Sequence, residues 1–582
     1  MKPADPTGNR SQRIITRRAA LKILGASGVT VLAGLSLPGF AADLLKEDPN
    51  TAPAAKPSAS LDPLRSPDGR NFNPIDRSVG HRAPTRFSGE DPEKAHRIFW
   101  NRDRFTGKIP APAERTGVVI VGGGLSGLFS GYLLRDQNPV ILEGQARFGG
   151  NSRGESWHGI DYSIGAAYFM EQPEGSPIHK LYTELGIWDI VRVKDSEDPV
   201  LFNGRKFHEF WDGETDPKNA AQFIKLKKLF KDTIGGTGPD FPDIPIIDPS
   251  KREYMNKLDR ISFKTYLEDH VGGKLHPHIE TKLSFYFWST FSCTFEETSA
   301  AAGLNAYSSE FGKVYATPGG NAALAERLTR KIVEKVPVGN LRSSCMVFDV
   351  NVVKDGVVVA YEDHKGKVRS IHAKSVILAC PKFVVARVLR HIEPERTAAI
   401  NKLRYNAYLI GNVMLNDTLK EDYYDISYLG DGVIDTFNIR RSAERQGITD
   451  SVVATYARPD KERLVLTCYR GLPYNGSRDQ VFDAGAFAKY HKEFEAQIRG
   501  SILPQLGLDP KKVVDIRIAR WGHPMPVPAI GMIADGVCDA VRKPFKDRVF
   551  FVEQDNWAYA AVETAALEAM EFAPRVQKAI KG

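Results

Sequence analysis

Cysteine is scarce in this 582-residue chain, with five in all. Cys293, Cys345, Cys380, Cys468 and Cys538 stand far apart and form no CxxC pair. That spacing argues against a disulfide-framework mini-protein, zinc ribbons and haem attached through CxxCH. The odd count leaves at least one thiol without a partner in its own chain. No Lys/Arg cluster with interleaved aromatic residues occurs, so nucleic acid is not an expected partner. His270, His276 and His278 gather around an expected loop and read as solvated rather than metal-binding. With 50 glycines and 36 prolines the chain is neither collagen-like nor low-complexity. What is there is ordinary globular composition, 42% hydrophobic and 26% charged. Its length suggests roughly two to four domains.

The net charge of +8 is unevenly placed. Residues 1–41 hold Lys2, Arg10, Arg13, Arg17, Arg18 and Lys22 against Asp5, and the rest is close to neutral. Thr16-Arg17-Arg18-Ala19-Ala20-Leu21-Lys22 resembles a twin-arginine export signal, followed by an apolar run from Ile23 to Phe40 and a small-residue site at Ala41-Ala42. A cleaved signal is expected, an uncleaved anchor being the alternative. The reading implies export by the twin-arginine machinery to the periplasm. Residues 42–115 are rich in Pro, Ala, Ser, Arg and Asp and lack a sustained period before Ala95. They read as an extended arm on the surface with little part in the chemistry.

The chemistry begins at Thr116. Thr116-Gly117-Val118-Val119-Ile120-Val121 is a β-branched run suited to a central parallel strand. Gly122-Gly123-Gly124-Leu125-Ser126-Gly127 comes next, then an apolar helical stretch. In such a turn Gly122 permits the tight bend, Gly124 lets backbone approach a pyrophosphate, and Gly127 lets helix pack on strand. The first N–H groups of the helix, at Leu125 and Ser126, then face phosphate. A second strand, Pro139 to Leu142, ends in Glu143, 21 residues beyond Gly122, where a carboxylate accepts the ribose hydroxyls of an adenosine.

The segment after Glu143 decides between dinucleotides. Gly144-Gln145-Ala146-Arg147-Phe148-Gly149-Gly150-Asn151-Ser152 resembles the second glycine segment of the flavin-containing amine oxidase superfamily. The resemblance implies that Gly144, Arg147, Gly149, Gly150 and Asn151 lie along the FAD pyrophosphate. It implies that Gly165-Ala166-Ala167-Tyr168 passes the isoalloxazine ring. Later segments match in the same order. Val347 would offer its backbone to the adenine, and Pro381 ends a strand returning to the cofactor. Arg520-Trp521 would precede the flavin face, Glu553 would close the last strand, and Val562 would open the final helix. The implied fold is α/β: a Rossmann-type FAD domain with a parallel sheet and β-meander, interleaved with an α+β substrate domain. The FAD pieces are expected at 116–190, 335–395 and 520–582, and the substrate pieces at 191–334 and 396–519.

The departures shape the expected activity. Ile530-Gly531-Met532 stands where covalent relatives carry a flavin-linking cysteine, so FAD is expected to bind non-covalently. Ile533 and Ala561 occupy the positions of the family's two cage tyrosines. Trp521, Trp557 and Tyr559 are the rings left to flank a substrate, with His523 as a proton acceptor, a polar wall or a structural histidine. Phe285-Tyr286-Phe287-Trp288 and Phe291 to Phe295 read as core, one or two rings excepted. Tyr408 to Met414 lacks the lysine that many family oxidases place near flavin N5. The expected reaction is therefore hydride removal from the carbon beside an amine nitrogen of a small molecule, by a dehydrogenase that passes electrons to a periplasmic carrier or quinone. The alternatives are a C–C desaturase or isomerase of the phytoene desaturase or protoporphyrinogen oxidase type, and a flavin electron-transfer protein without a substrate.

Overall fold

The computed structural model describes residues 64–79, 85–101, 105, 107–430 and 447–581. The twin-arginine segment lies outside them. The protein is mixed α/β and holds two large sheets. In the first, Leu341–Arg342, Val140–Leu142, Glu114–Val121 and Val368–Leu378 run in that order, each pair parallel. Val549–Phe551 adds a further parallel strand beside the end of Val368–Leu378. Gly356–Glu362 and Met346–Val353 continue from the same strand as an antiparallel meander.

The apolar run after Thr116 exists because both faces of its strand are covered. Val118 and Ile120 pack into a core with Leu128, Phe129, Phe572 and Val576. Val119 and Val121 point the other way, into a core with Val347, Val359 and Val376. A strand buried on both sides has no polar position to alternate with. The helix Leu125–Leu133 and the last helix, Val562–Lys581, cover the first of these faces.

The second sheet has eight strands. Its middle is Asp425–Leu429, Asp450–Val453, Leu464–Gly471, Tyr408–Leu415 and Val513–Trp521, neighbours in that order. Helices from 220 to 309 pack an aromatic core beside it, with Phe285, Phe287 and Trp288 fully buried as expected. His276 is no solvated side chain. It caps the helix Pro277–Phe291, accepting from the His278 backbone N–H at 3.2 Å, and its Nε2 meets Asp216 at 3.1 Å. All five cysteines are free thiols. Among the described residues no helix is long and apolar enough to cross a membrane.

Residues 64–79 and 85–101, expected as a surface arm, are built into the fold. Ile75–Asp76 pairs with Gly154–Trp157, and Ser88–Gly89 forms the edge of the eight-stranded sheet beside Val513–Trp521. Phe72 is wholly buried, its ring 5.4 Å from that of Phe148. Arg77 bridges Asp161 at 2.7 Å and Glu326 at 2.9 Å. Lys94 Nζ donates to three carbonyls, those of Ser344, Glu362 and Asp363. Single anchors and ion pairs leave no period in a sequence, which is why the segment reads as a linker. Phe72→Ala removes the main apolar anchor. It is expected to lower the unfolding free energy by about 3 kcal/mol, read from thermal or denaturant unfolding.

Candidate functional site

The carboxyl ends of the parallel strands open into one continuous cavity of about 860 Å³. That lies within the range of cofactor and ligand sites, roughly 300–1,000 Å³. Gly122, Gly124, Leu125 and Ser126 line one end. Two close approaches make this turn possible. A Cβ on Gly127 would lie 1.9 Å from the Gly122 carbonyl oxygen, so only glycine lets the helix sit this near the strand. A Cβ on Gly150, at φ +58°, would lie 2.9 Å from the Gly124 Cα. The two turns thus pack backbone against backbone, and Gly124 and Gly150 present bare main chain to the cavity that they both line.

Glu143 closes the next strand with its carboxylate buried. Oε2 accepts the Gly123 N–H at 2.6 Å and Oε1 the Gln145 N–H at 2.7 Å. Burial pushes its pKa up, while these donors and Arg153 oppose the shift. Each oxygen keeps a lone pair for a ribose hydroxyl. Gly144, Asn151, Gly165, Ala166, Ala167, Tyr168, Val347, Pro381, Glu553 and Val562 also line the cavity.

Three expected cofactor residues do not line it. Gly127 packs the helix, as its spacing suggests. Gly149, at φ +112°, shapes the turn, where a Cβ would meet the Ser152 carbonyl oxygen at 2.4 Å. Arg147 is the substantive correction. Its guanidinium is turned to the arm, 2.7 Å from Asp76 and donating to Asn71 Oδ1 and the Asn73 carbonyl. Of the two it is Arg153 that faces the cavity, buried, with Glu143 and Glu90 as opposing charges, and Arg387 and Arg478 line the cavity too. Its guanidinium lies 5.0 Å over the Trp521 ring. Glu90, from the arm, accepts the Gly522 N–H at 2.7 Å. Linear order could not say which of two arginines six residues apart turns inward.

At the other end of the cavity the expected rings divide. Trp521 lines it, held by Nε1 donating to the Ile164 carbonyl at 2.7 Å. Tyr559 lines it and donates to Asn305 Oδ1 at 2.7 Å. Trp557 does not, a second correction: its Nε1 donates to buried Glu568 at 2.8 Å, and the indole belongs to the core. Ala561 reaches the cavity wall while Ile533 is core. His523 lines the cavity against Phe383, ring centroids 4.5 Å apart, with Nδ1 buried and unpartnered. Burial and nearby Arg478, His96 and Arg387 push its pKa down to about 4, so it is neutral at neutral pH. From the aromatic helix Tyr286, Ser289 and Phe291 reach the wall.

Several groups here carry no sequence signal. Glu310 accepts the Tyr286 hydroxyl at 2.8 Å and the Tyr168 hydroxyl at 3.1 Å. Asp450 accepts the Ser289 hydroxyl at 3.2 Å. Glu563 accepts the Met170 N–H at 2.9 Å. All three acids line the cavity. Behind Glu553 stands Lys382, fully buried, with Nζ 2.7 Å from the Glu553 carboxylate. The arm adds Glu90, His96, Phe99 and Trp100 to the wall.

Residues 125–469 match the family described as flavin containing amine oxidoreductase, over more than half of the chain. The chain belongs to this family. Among curated relatives, it is 23% identical over 513 residues to oxidoreductase PigB of Serratia, covering 79% of this chain and 75% of the relative. To flavin-containing amine oxidase A of pig it is 25% identical over 303 residues, spanning about half the length of each (49% and 53%). Among solved structures, putrescine oxidase bound to putrescine superposes with a TM-score of 0.58 at 16% identity, over 80% of this chain and 99% of that one. That last likeness shows the fold alone.

As a family member the protein is a flavin oxidoreductase, and its family implies FAD. The residues present suit that group. The side-chain-free backbone of Gly124 and Gly150 on the cavity wall, the acceptor pair of Glu143 and the inward Arg153 match a pyrophosphate flanked by an adenosine. Arg153→Ala is expected to weaken FAD binding by about tenfold or more, whereas Arg147→Ala leaves it within about threefold and lowers stability instead. FAD titration of the stripped protein, with a thermal melt, checks both. His523 yields a pH prediction. With its folded pKa below the ordinary value of 6.5, the native state binds fewer protons than the unfolded one between pH 6.5 and 4. Stability is lost as pH falls through that window. His523→Gln, compared with the parent by denaturant unfolding, is expected to lose less.

Proposed function

We propose that the protein is an exported FAD-dependent amine dehydrogenase. The observation that carries the amine reading is the acid lining of the ring end of the cavity. Glu310 is fixed by two tyrosine hydroxyls, and Lys194 and Lys282 act on it only through the field, with no direct ion pair among the described residues. A carboxylate held this way favours a cationic ligand over an apolar one. A polyene or porphyrinogen would cover the Glu310 carboxylate with apolar surface and offer it no cationic group, so the desaturase reading suits this cavity less well.

FAD, when bound, supplies the hydride-accepting chemistry of the family. The chain's own residues do the rest. Trp521 and Tyr559, each tied by one hydrogen bond, form rigid walls that orient the C–H bond and keep water away. His523, neutral with Nδ1 buried and unpartnered, serves as a polar wall rather than a base, because the lowered pKa weakens it as a proton acceptor. An imine product hydrolyses once it meets bulk water.

Two finer points belong to the same proposal. Among the described residues no lysine lines the cavity. The lysine that many family oxidases place near the flavin is then absent, which favours a carrier or quinone as acceptor. The twin-arginine segment supports periplasmic delivery of a protein folded with its cofactor, held without a covalent bond.

Anaerobic mixing with a panel of amines tests the reading. Bleaching of the flavin band by an amine, followed by slow re-oxidation in air, is the expected result. Glu310→Gln should raise the amine concentration for half-maximal reduction by about tenfold, with a smaller change in the limiting rate. Bleaching by a polyene or porphyrinogen and by no amine would refute it.

A further inference from the structure

Beside the cavity, Asp450 and Asp425 sit on adjacent antiparallel strands. Ser427 is the register partner of Asp450, so Asp425 lies diagonally across from it on the same face. Oδ1 of each carboxyl is buried, and neither finds a donor in the protein. The two side chains lie within hydrogen-bonding reach of each other. Two carboxylate oxygens facing one another out of water are tolerable only with a proton between them.

The surroundings reinforce this. Asp198 and Glu310 add negative charge, and Lys282 and Lys194 are the ammonium groups that answer it, so four carboxyls face two lysines. Lys282 Nζ donates to Ser427 at 2.8 Å and Lys194 Nζ lies 2.6 Å from Asp198. The remaining titratable neighbours, Tyr408, Tyr424, Tyr428, Tyr469 and Cys468, have their pKa values raised by burial and stay neutral. Burial also pushes Asp450 up to about 6, and Asp425 well above the usual carboxylate range.

The pair spans two environments. Asp450 lines the cavity through Ser289. Asp425 backs onto Asp198, whose Oδ1 accepts the Asp425 N–H at 3.1 Å and whose side chain is 19% exposed. We propose that Asp450 and Asp425 share one proton and form the route by which the proton of a substrate ammonium leaves the cavity. The inference rests on the amine reading. An amine reaches the site as its ammonium, whereas loss of hydride from the adjacent carbon needs the nitrogen lone pair. In the step, an N–H bond of the ammonium breaks and an O–H bond forms on Asp450. The lone pair stays on nitrogen, and nothing is oxidised or reduced. The pair's other proton leaves from Asp425, the member on the side of the partly exposed Asp198.

Two measurements on the full-length holoenzyme test this. Infrared spectra at neutral pH, without substrate, should show the carbonyl stretch of a protonated carboxyl, lost in Asp425→Asn and in Asp450→Asn. A band unchanged in both variants overturns the shared proton. The limiting rate of anaerobic flavin reduction at saturating amine should stay level in the parent down to neutral pH. In Asp450→Asn it should fall about tenfold for each pH unit below the ammonium range, with Asp450→Glu restoring the plateau. A retained flavin spectrum shows that the variant is folded. Identical pH profiles for the parent and Asp450→Asn overturn the route. If no amine bleaches the parent's flavin, the amine reading fails and takes the ammonium donor with it, whereas the infrared result still decides the shared proton.

Discussion

A helix can cross a strand within touching distance only where neither carries a side chain at the crossing. Here that crossing is Gly127 against the Gly122 carbonyl. It sets the direction of the helix Leu125–Leu133, and so where its first N–H groups point. Glu143, Gly150 and Arg153 are all placed relative to that turn. The parallel sheet beneath is buried on both faces and holds the turn still. Much of the cavity's cofactor end is thus a consequence of one contact between two backbones.

The cavity also has an electrostatic division. Its glycine-turn end joins helix N-terminal N–H groups with Arg153, which suits anionic oxygen. Its ring end is walled by Trp521, Tyr559, Tyr286 and Tyr168 and carries the acids Glu310, Asp450 and Glu563. Arg387 and Arg478 add positive charge beside His523, so the sorting is local: phosphates suit the glycine turn, and an ammonium group suits the wall around Glu310. Low dielectric between the ends makes that sorting stronger than the same charges would achieve in water.

The turn, both flanking strands, Glu143, the meander and the last helix were legible because each has a local signature: a glycine spacing, an apolar run, an acid at a strand end. The second sheet was not, because its strands come from segments far apart in sequence. Arg153 and Arg147 illustrate the limit at one residue's scale. Both come after the second strand, and only packing against Asp76 and Asn73 turns Arg147 away. Trp557 failed likewise, since Glu568, within the last helix, draws its indole N–H into the core. The acids of the ring end leave no pattern at all: Glu310 stands just past a helix and Asp450 begins a strand, and only folding brings them to one wall.

The arm ends up doing more than bracing the surface. Glu90, His96, Phe99 and Trp100 all come from sequence ahead of residue 125, where the stretch shared with the family begins. Trp100 keeps 74% of its surface exposed where the cavity opens. Because Glu90 in that same leading segment also faces Arg153, the doorway and the grip on the cofactor are mechanically joined.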